Sequence, residues 1–481
     1  MTQTAPDPSS ETGIALVVDL DGTLCRTDTL FEGLLSLAAQ QPLMLLAVPV
    51  WLAQGRVNLK AQLADRKILD AERLPFNDQV VDHLRQARAE GRRTALVSAA
   101  DHRQVTAIAE ATGLFDEAYG SAEGRNLKGP EKAAFLTEHF GAGMFDYIGD
   151  SRADVPVWAA ARTALTVRAG PGLRKAAETA QPNTLHLDPP DAPWGDILRA
   201  MRPHQWVKNL LIFLPTFAAH DMSNLVAILL GFVAFSLTAS TVYVINDLID
   251  LDADRAHPRK RLRPFAAGRL SLQMGLALAG GLCLLAVLFG LMTGPLFLLV
   301  QAVYLVLTLA YSMWLKRKLI IDVLTLAGLY TIRIVAGAAA ATVVLSPWML
   351  GFSIFLFLAL AAVKRQAELA DQLTSQRASH GRAYEVDDLP ILRGIATSAT
   401  HASVLVLALY INSADVRALY ATPFLLWFIC PILLYWSLRM IMKAHRGQMT
   451  DDPIVFAATD RVSLSLIVTS VAIVFAATSA L

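Results

Sequence analysis

Two kinds of hydrophobic pattern divide this chain of 481 residues, and they meet near Pro193. Before that point, apolar residues come in short runs that end in turn residues or acids. "IALVVDLDGTL" from Ile14, "RRTALVSAAD" from Arg92 and "MFDYIGDSRAD" from Met144 each read as a buried strand of an α/β domain, the first two ending at Asp19 and Ser98 and the third at Asp150. From Ile197 onward the apolar runs reach membrane length and recur to the C-terminus. About nine spans are expected, beginning near Trp206, Leu225, Leu272, Leu296, Ile321, Trp348, Ile391, Thr422 and Val462. The Pro-rich polar stretch "AETAQPNTLHLDPPDAPWGD" marks a linker, placed at 173–197. One apolar stretch, Leu34 to Gly55, could pass for a span, but Gln40, Gln41 and Pro42 interrupt it. A crossing there would also put Asp19 and Ser98 on opposite sides of a membrane. It is expected to be a small helical cap, about 30–75, with a place at the membrane interface as the alternative.

Composition sharpens this division. Hydrophobic residues make up 54% of the chain and charged ones only 17%, the balance of an integral membrane protein. A net charge of +1 lacks the basic excess of a nucleic-acid binder. Cys25, Cys283 and Cys430 are too widely spaced for a disulfide framework or a metal-binding motif. The first 13 residues are polar, do not resemble a signal peptide, and are expected to be disordered. Lys and Arg collect in alternate connections, with Arg255 to Arg269 after the second span and Lys316 to Lys318 after the fourth. Lys364, Arg365 and Arg393 follow the sixth, and Arg439 to Arg461 the eighth. By the positive-inside bias these connections and the α/β domain are cytoplasmic, and the C-terminus lies on the opposite side.

In the α/β half, Asp19 and Asp21 emerge at the carboxyl end of a strand with Gly22 and Thr23 in the turn, where such folds bind ligands. Ser98, then Lys128 and Lys132, then Asp150 and Asp154 follow in order. This succession of DxDGT, Ser, Lys and GDxxxD resembles the haloacid dehalogenase superfamily of phosphatases and phosphotransferases over roughly Ile14 to Gly170, giving a Rossmann-like domain at 14–172. The resemblance implies that Asp19 attacks phosphorus and that Asp21 protonates the leaving oxygen and then activates water. It further implies Mg²⁺ on Asp19, the Asp21 carbonyl and Asp150, with Asp154 in support, and phosphoryl oxygens held by Ser98 and a lysine beside the Thr23 turn. Spacing leaves open which of Lys128 and Lys132 acts. The alternative is a degenerate domain kept as a scaffold.

In the apolar half, "NDLIDLDAD" puts Asp247, Asp250 and Asp254 at i, i+3 and i+7, on one face of a helix beside Asn246. Such a face suits Mg²⁺ and a diphosphate; the plainer reading is a solvated helix end paired with its own arginines. The motif resembles the NDxxDxxxD signature of the UbiA superfamily of intramembrane prenyltransferases, which implies an all-α polytopic domain over 198–481 with a cavity open to the cytoplasm. "RPHQWVKN", "YSMWLKRKLIIDV", "YTIRIVAG" and "KRQAELA" look most like the branch that includes decaprenyl-phosphate phosphoribosyltransferases.

Lys316, Arg317, Lys318 and a single Asp322 stand where the resemblance leads one to expect a second acid-rich motif. More bases and fewer acids suit a substrate pair rich in phosphate. The resemblance implies transfer of phosphoribosyl from phosphoribosyl pyrophosphate (PRPP) to a polyprenyl phosphate. Lys208, Arg255, Lys260, Arg263, Lys316, Arg333, Lys364 and Arg365 are the candidate phosphate holders. Topogenic charge is the competing explanation for several of them. Two rival functions remain open: prenyl transfer from a prenyl diphosphate to an aromatic acceptor, and a transporter or scaffold with a binding-only α/β domain.

Overall fold

A computed structural model of the chain describes residues 13–122, 124–188, 193–375, 383–449 and 452–478. The N-terminal segment expected to be disordered, apart from Gly13, and part of the expected linker lie outside the described residues. The chain splits into two compact units, Met1–Ala200 with Val244–Ala277, and Met201–Tyr243 with Leu278–Leu481.

The first unit is built on six parallel strands: β1 (Ala15–Val18), β2 (Thr94–Asp101), β3 (Glu117–Ser121), β4 (Phe145–Gly149), β5 (Thr163–Thr166) and β6 (Thr184–His186). Their order is β3-β2-β1-β4-β5-β6, so the winding reverses between β1 and β4. Alternation along β1 explains why four consecutive residues are buried. Leu16 and Val18 join the core on one face, and Ala15 and Val17 the core on the other. β2 runs three residues beyond the expected end at Ser98. Its pairing with β3 is regular up to Val97 and resumes only at Asp101, so Ser98 sits where the ladder breaks.

Between β1 and β2 the expected cap is helical: Thr29–Gln40, a 3₁₀ stretch Pro42–Ala47, Val48–Ala53 and Arg56–Arg66. Gln41 and Gly55, the latter at φ +112°, break it into pieces too short to cross a bilayer. Leu37, Trp51, Leu59 and Leu63 form its own small core.

Among the described residues, eight helices are long and apolar enough to span a membrane: Leu225–Ile249, Leu272–Thr293, Pro295–Met313, Ile321–Ala341, Pro347–Leu373, Val386–Ile411, Pro423–His445 and Arg461–Thr478. These match eight of the nine expected spans. The segment near Trp206 differs: it is a 3₁₀ stretch, Pro203–Phe213, followed by a short helix, Leu214–Ala219. Pro203 and Pro215 bracket it, and Lys208 and Asn209 turn inward instead of facing lipid. Its backbone lies so close to Ile321–Ala341 that a Cβ on Gly337 would stand 2.0 Å from the Ile212 carbonyl oxygen. Only glycine admits that approach.

Candidate active sites

In the first unit, Asp19 follows β1 and Asp150 follows β4, one on each side of the point where the strand order reverses. Gly22, at φ +77°, turns the chain tightly beneath them, and a Cβ there would lie 2.1 Å from an Asp150 oxygen. One oxygen each from Asp19, Asp150 and Asp154 lie within 4.8 Å of one another. Three hard oxygen donors at this spacing fit a Mg²⁺-sized cation.

The electrostatics point the same way. Burial pushes up the Asp19 carboxyl, with Asp154 adding to the shift. Burial, then Asp154 and Asp19, push Asp150 well above the ordinary carboxylate range. A cation bound among these acids would relieve the repulsion that raises Asp19 and Asp150. Asp21 takes no part in the trio: its carboxylate accepts the Thr29 N–H at 2.7 Å, and burial followed by Asp28 raises it to about 7. A carboxyl that holds its proton near neutrality is suited to general acid work.

Lys132 lies 2.9 Å from Asp19 and donates at 2.9 Å to the Tyr147 hydroxyl, which in turn donates to Asp154 at 2.8 Å. Burial opposes its charge, but Asp19 and Asp154 outweigh burial and raise its pKa. Lys128, the other candidate, is exposed. Thr23 donates weakly to Asp150 at 3.4 Å, and Ser98 is buried, accepting the Ala100 N–H at 3.1 Å. Two neighbours were not anticipated. Lys60 reaches from the cap to the Ala99 carbonyl, and burial lowers its pKa. Arg168 donates to the Gly22 carbonyl at 2.9 Å and braces the turn.

The aspartate motif spans the end of one helix and the start of the next. Asn246 and Asp247 close Leu225–Ile249, and Asp250 opens Leu251–Ala256, which carries Asp254. The Asp250 N–H to Asn246 carbonyl bond (2.9 Å) and the Asp254 N–H to Asp250 carbonyl bond (2.8 Å) carry the helical spacing across the break. Arg263 bridges Asp247 at 3.1 Å and Asp254 at 2.6 Å. Burial still raises Asp254 to about 6, against the pull of Arg263. A cation is therefore already drawn to this face, and its all-oxygen donors suit Mg²⁺. Arg255 turns elsewhere, to an ion pair with Glu32 at 3.1 Å on the cap helix. Lys260 is exposed.

Within the second unit, Lys208 lies 2.5 Å and Lys364 3.5 Å from Asp452, which also accepts from the Tyr330 hydroxyl at 3.2 Å. Asp452 was not singled out beforehand. Its one sequence signal is an acid just before Pro453, the mark of a helix N-cap, and its carboxylate does accept the Ile454 and Val455 N–H groups. Burial alone would raise its pKa, but Lys364 and Lys208 hold it well below the ordinary range. Among the described residues, Arg333 is held by Asn209 at 2.9 Å, the Tyr304 hydroxyl at 3.1 Å, and the ring faces of Tyr304, Phe235 and Tyr330. Arg365 is fully buried against Asp322, with Glu368 and Tyr311 beside it, so this pair reads as structural. Lys316 and Arg317 lie in a 3₁₀ turn after the Pro295–Met313 helix.

Replacing Asp452 with alanine leaves Lys208 buried without its counter-charge. The expected cost is about 3–5 kcal/mol, read as a lower unfolding midpoint of the full chain in detergent.

Residues 210–479 match the UbiA prenyltransferase family, and residues 16–158 match the haloacid dehalogenase-like hydrolases. The chain is 39% identical to the uncharacterised protein y4nM of Sinorhizobium fredii over 94% of its own length and 88% of that protein. It is 36% identical to the nodulation protein NoeC of Azorhizobium caulinodans, over 56% of this chain and 90% of that one. It is also 36% identical to a decaprenyl-phosphate phosphoribosyltransferase of Mycolicibacterium smegmatis, over 50% of this chain and 76% of that one.

Proposed function

The chain belongs to the UbiA prenyltransferase family and carries a haloacid dehalogenase-like hydrolase domain ahead of it, and on that premise we propose a bifunctional membrane enzyme acting on a lipid-linked sugar phosphate. The membrane half transfers phosphoribosyl from PRPP to a polyprenyl phosphate, and the hydrolase half removes the 5-phosphate from the product. The observation that carries this reading is the cationic group in the second unit, Lys208 and Arg333 over the Tyr330 ring with Lys364 beside Lys208 on Asp452, an arrangement suited to more than one phosphate. Similarity to a relative named as a phosphoribosyltransferase supports the same donor.

In the first step an oxygen of the lipid phosphate, already anionic, attacks the anomeric carbon. The bond from that carbon to the diphosphate oxygen breaks, and diphosphate leaves with the electron pair. Asn246, Asp247, Asp250 and Asp254 would hold Mg²⁺, whose positive charge would offset that of the departing diphosphate. Arg263 and Lys260 beside the acid motif, and Lys208, Lys364 and Lys316 in the second unit, are the proposed anion holders. In the second step Asp19 attacks phosphorus, the ester P–O bond breaks, and Asp21 gives its proton to the leaving 5-oxygen. Asp21 then takes a proton from water as it opens the aspartyl phosphate, releasing inorganic phosphate. Asp19, the Asp21 carbonyl, Asp150 and Asp154 would hold a second Mg²⁺, while Lys132, Ser98 and Thr23 hold phosphoryl oxygens.

We place the hydrolase domain at 14–172, the linker at 173–197 and the transferase at 198–481. Both sites face the cytoplasm in this reading, and the C-terminus lies across the membrane. Family membership favours prenyl transfer to an aromatic acceptor as the second reading. Purified protein given labelled PRPP and polyprenyl phosphate separates the two: formation of a lipid-linked pentose supports the first. Reaction of prenyl diphosphate with an aromatic acid, and none of PRPP, would establish the second.

The lysine assignment has its own test. Lys132→Met is expected to lower kcat for phosphate ester hydrolysis by about 10²–10³-fold, the usual loss for one charge-stabilising donor. Lys128→Met should leave the rate nearly unchanged.

A further inference from the structure

The cap of the hydrolase domain carries more apolar surface than a water-facing helix needs. Between Pro42 and Gln54 there is no charged residue, and Leu43 and Leu46 are 82% and 81% exposed, with Met44, Leu45, Val50 and Leu52 also open. Trp51 faces inward, so the segment has a dry side and an unpartnered apolar side.

Both flanks of this ridge are tied to the end of a membrane helix. On one flank, Ser36, Ala39 and Gln40 line a cavity together with Leu248 and Ile249, the last turn of the Leu225–Ile249 span. On the other flank, Lys67 pairs with Asp252, three residues beyond that span. The cap helix is fastened again by Glu32 to Arg255 and by Asp28, which accepts from Gln273 at 3.2 Å in the first turn of the next span. The ridge is thereby held beside the ends of two helices long and apolar enough to span a membrane.

The charge pattern fits the same depth. No acidic residue occurs between Glu32 and Asp65, while Arg56 and Lys60 follow the ridge and Arg66 stacks on Trp51 at 4.3 Å. An uncharged apolar face followed by bases is the composition of an interfacial segment on anionic lipid.

We infer that the Pro42–Ala53 ridge lies in the surface of the lipid bilayer, as a foot that holds the hydrolase domain at headgroup level. Its partner is lipid, not a second copy of the chain or a soluble protein. The inference uses only the membrane spans and the cap, and stands apart from either proposed reaction.

Leu43→Cys and Leu46→Cys, each in a Cys283→Ala background, can carry bimane on the full chain in nanodiscs of phosphatidylcholine and phosphatidylglycerol. Leu185→Cys on β6, 52% exposed, serves as the water-facing control. Lipids bearing a nitroxide just below the headgroup should cut emission at 43 and 46 by about two-fold or more and leave 185 unchanged, whereas aqueous iodide should act mainly at 185. Equal iodide quenching at all three positions with none from the lipid nitroxide would overturn the inference. Disulfide cross-linking between copies through position 46, in place of lipid quenching, would also overturn it, by making a second chain the occupant.

Discussion

Asp19→Asn is expected to reduce phosphate ester hydrolysis by at least about 10⁴-fold and, in the complete reaction, to make a lipid-linked phosphopentose accumulate. Asparagine keeps the size of the side chain but not its charge or its nucleophilic oxygen. Lys132 keeps its bond to Tyr147 at 2.9 Å, so the site retains its framework. Asparagine takes a counter-charge from Lys132 but also relieves the repulsion from Asp154, so an unfolding midpoint taken on the same preparation separates lost chemistry from lost fold. Inorganic phosphate release from the full-length protein measures the first effect. Chromatography of the labelled lipid measures the second. A variant that hydrolyses as fast as the parent would remove Asp19 from the role of nucleophile.

The second large effect is expected at Asp250. Asp250→Ala should lower formation of the lipid-linked product by about 10³-fold or more, the scale expected when a carboxylate that supports a metal is lost from a charge-stabilising site. Asp250 caps the start of Leu251–Ala256 and sits between Asp247 and Asp254 along the helical face. Those two acids share Arg263, so the face keeps its folded-state counter-ion when Asp250 is removed. Hydrolysis at the Asp19 site should remain within a few-fold of the parent, because Asp250 is no part of the Asp19, Asp150 and Asp154 group. Loss of both activities together would point to a collapsed cap instead of a lost metal ligand. The measurement is paired: labelled PRPP transfer and phosphate release from a soluble ester on the same preparation.

Much of this arrangement was readable before folding is considered, and particular residues show why. Asp19 and Asp150 follow buried strands, and parallel winding brings the carboxyl ends of β1 and β4 side by side, so motif order foretold their meeting. The choice between Lys128 and Lys132 was not readable. Both sit near a helix start, and only the inward turn of Lys132 within Pro130–Phe140 puts its ammonium on Asp19. Arg255 was grouped with the phosphate holders by its neighbours in the chain, yet it meets Glu32, 223 positions earlier. Asp452 went unnoticed because its partner Lys208 lies 244 positions away. The break of the segment near Trp206 into a 3₁₀ stretch and a short helix was not readable, because hydropathy averages over Lys208 and Asn209, whose partners Asp452, Ser236 and Arg333 lie on other segments.

Strand burial, span length and carboxylates placed in order after strands are properties of neighbouring residues, because burial and backbone hydrogen bonding act along a helix or strand at a fixed period. They carried the α/β and membrane halves and both acid motifs. Which cation answers which acid is a different kind of fact. Charges buried in a low-dielectric interior take whatever counter-charge the packing brings near, and that neighbour can lie anywhere in the chain. Lys132 on Asp19, Arg263 across Asp247 and Asp254, Glu32 on Arg255 and two lysines on Asp452 therefore became visible only once the chain was folded.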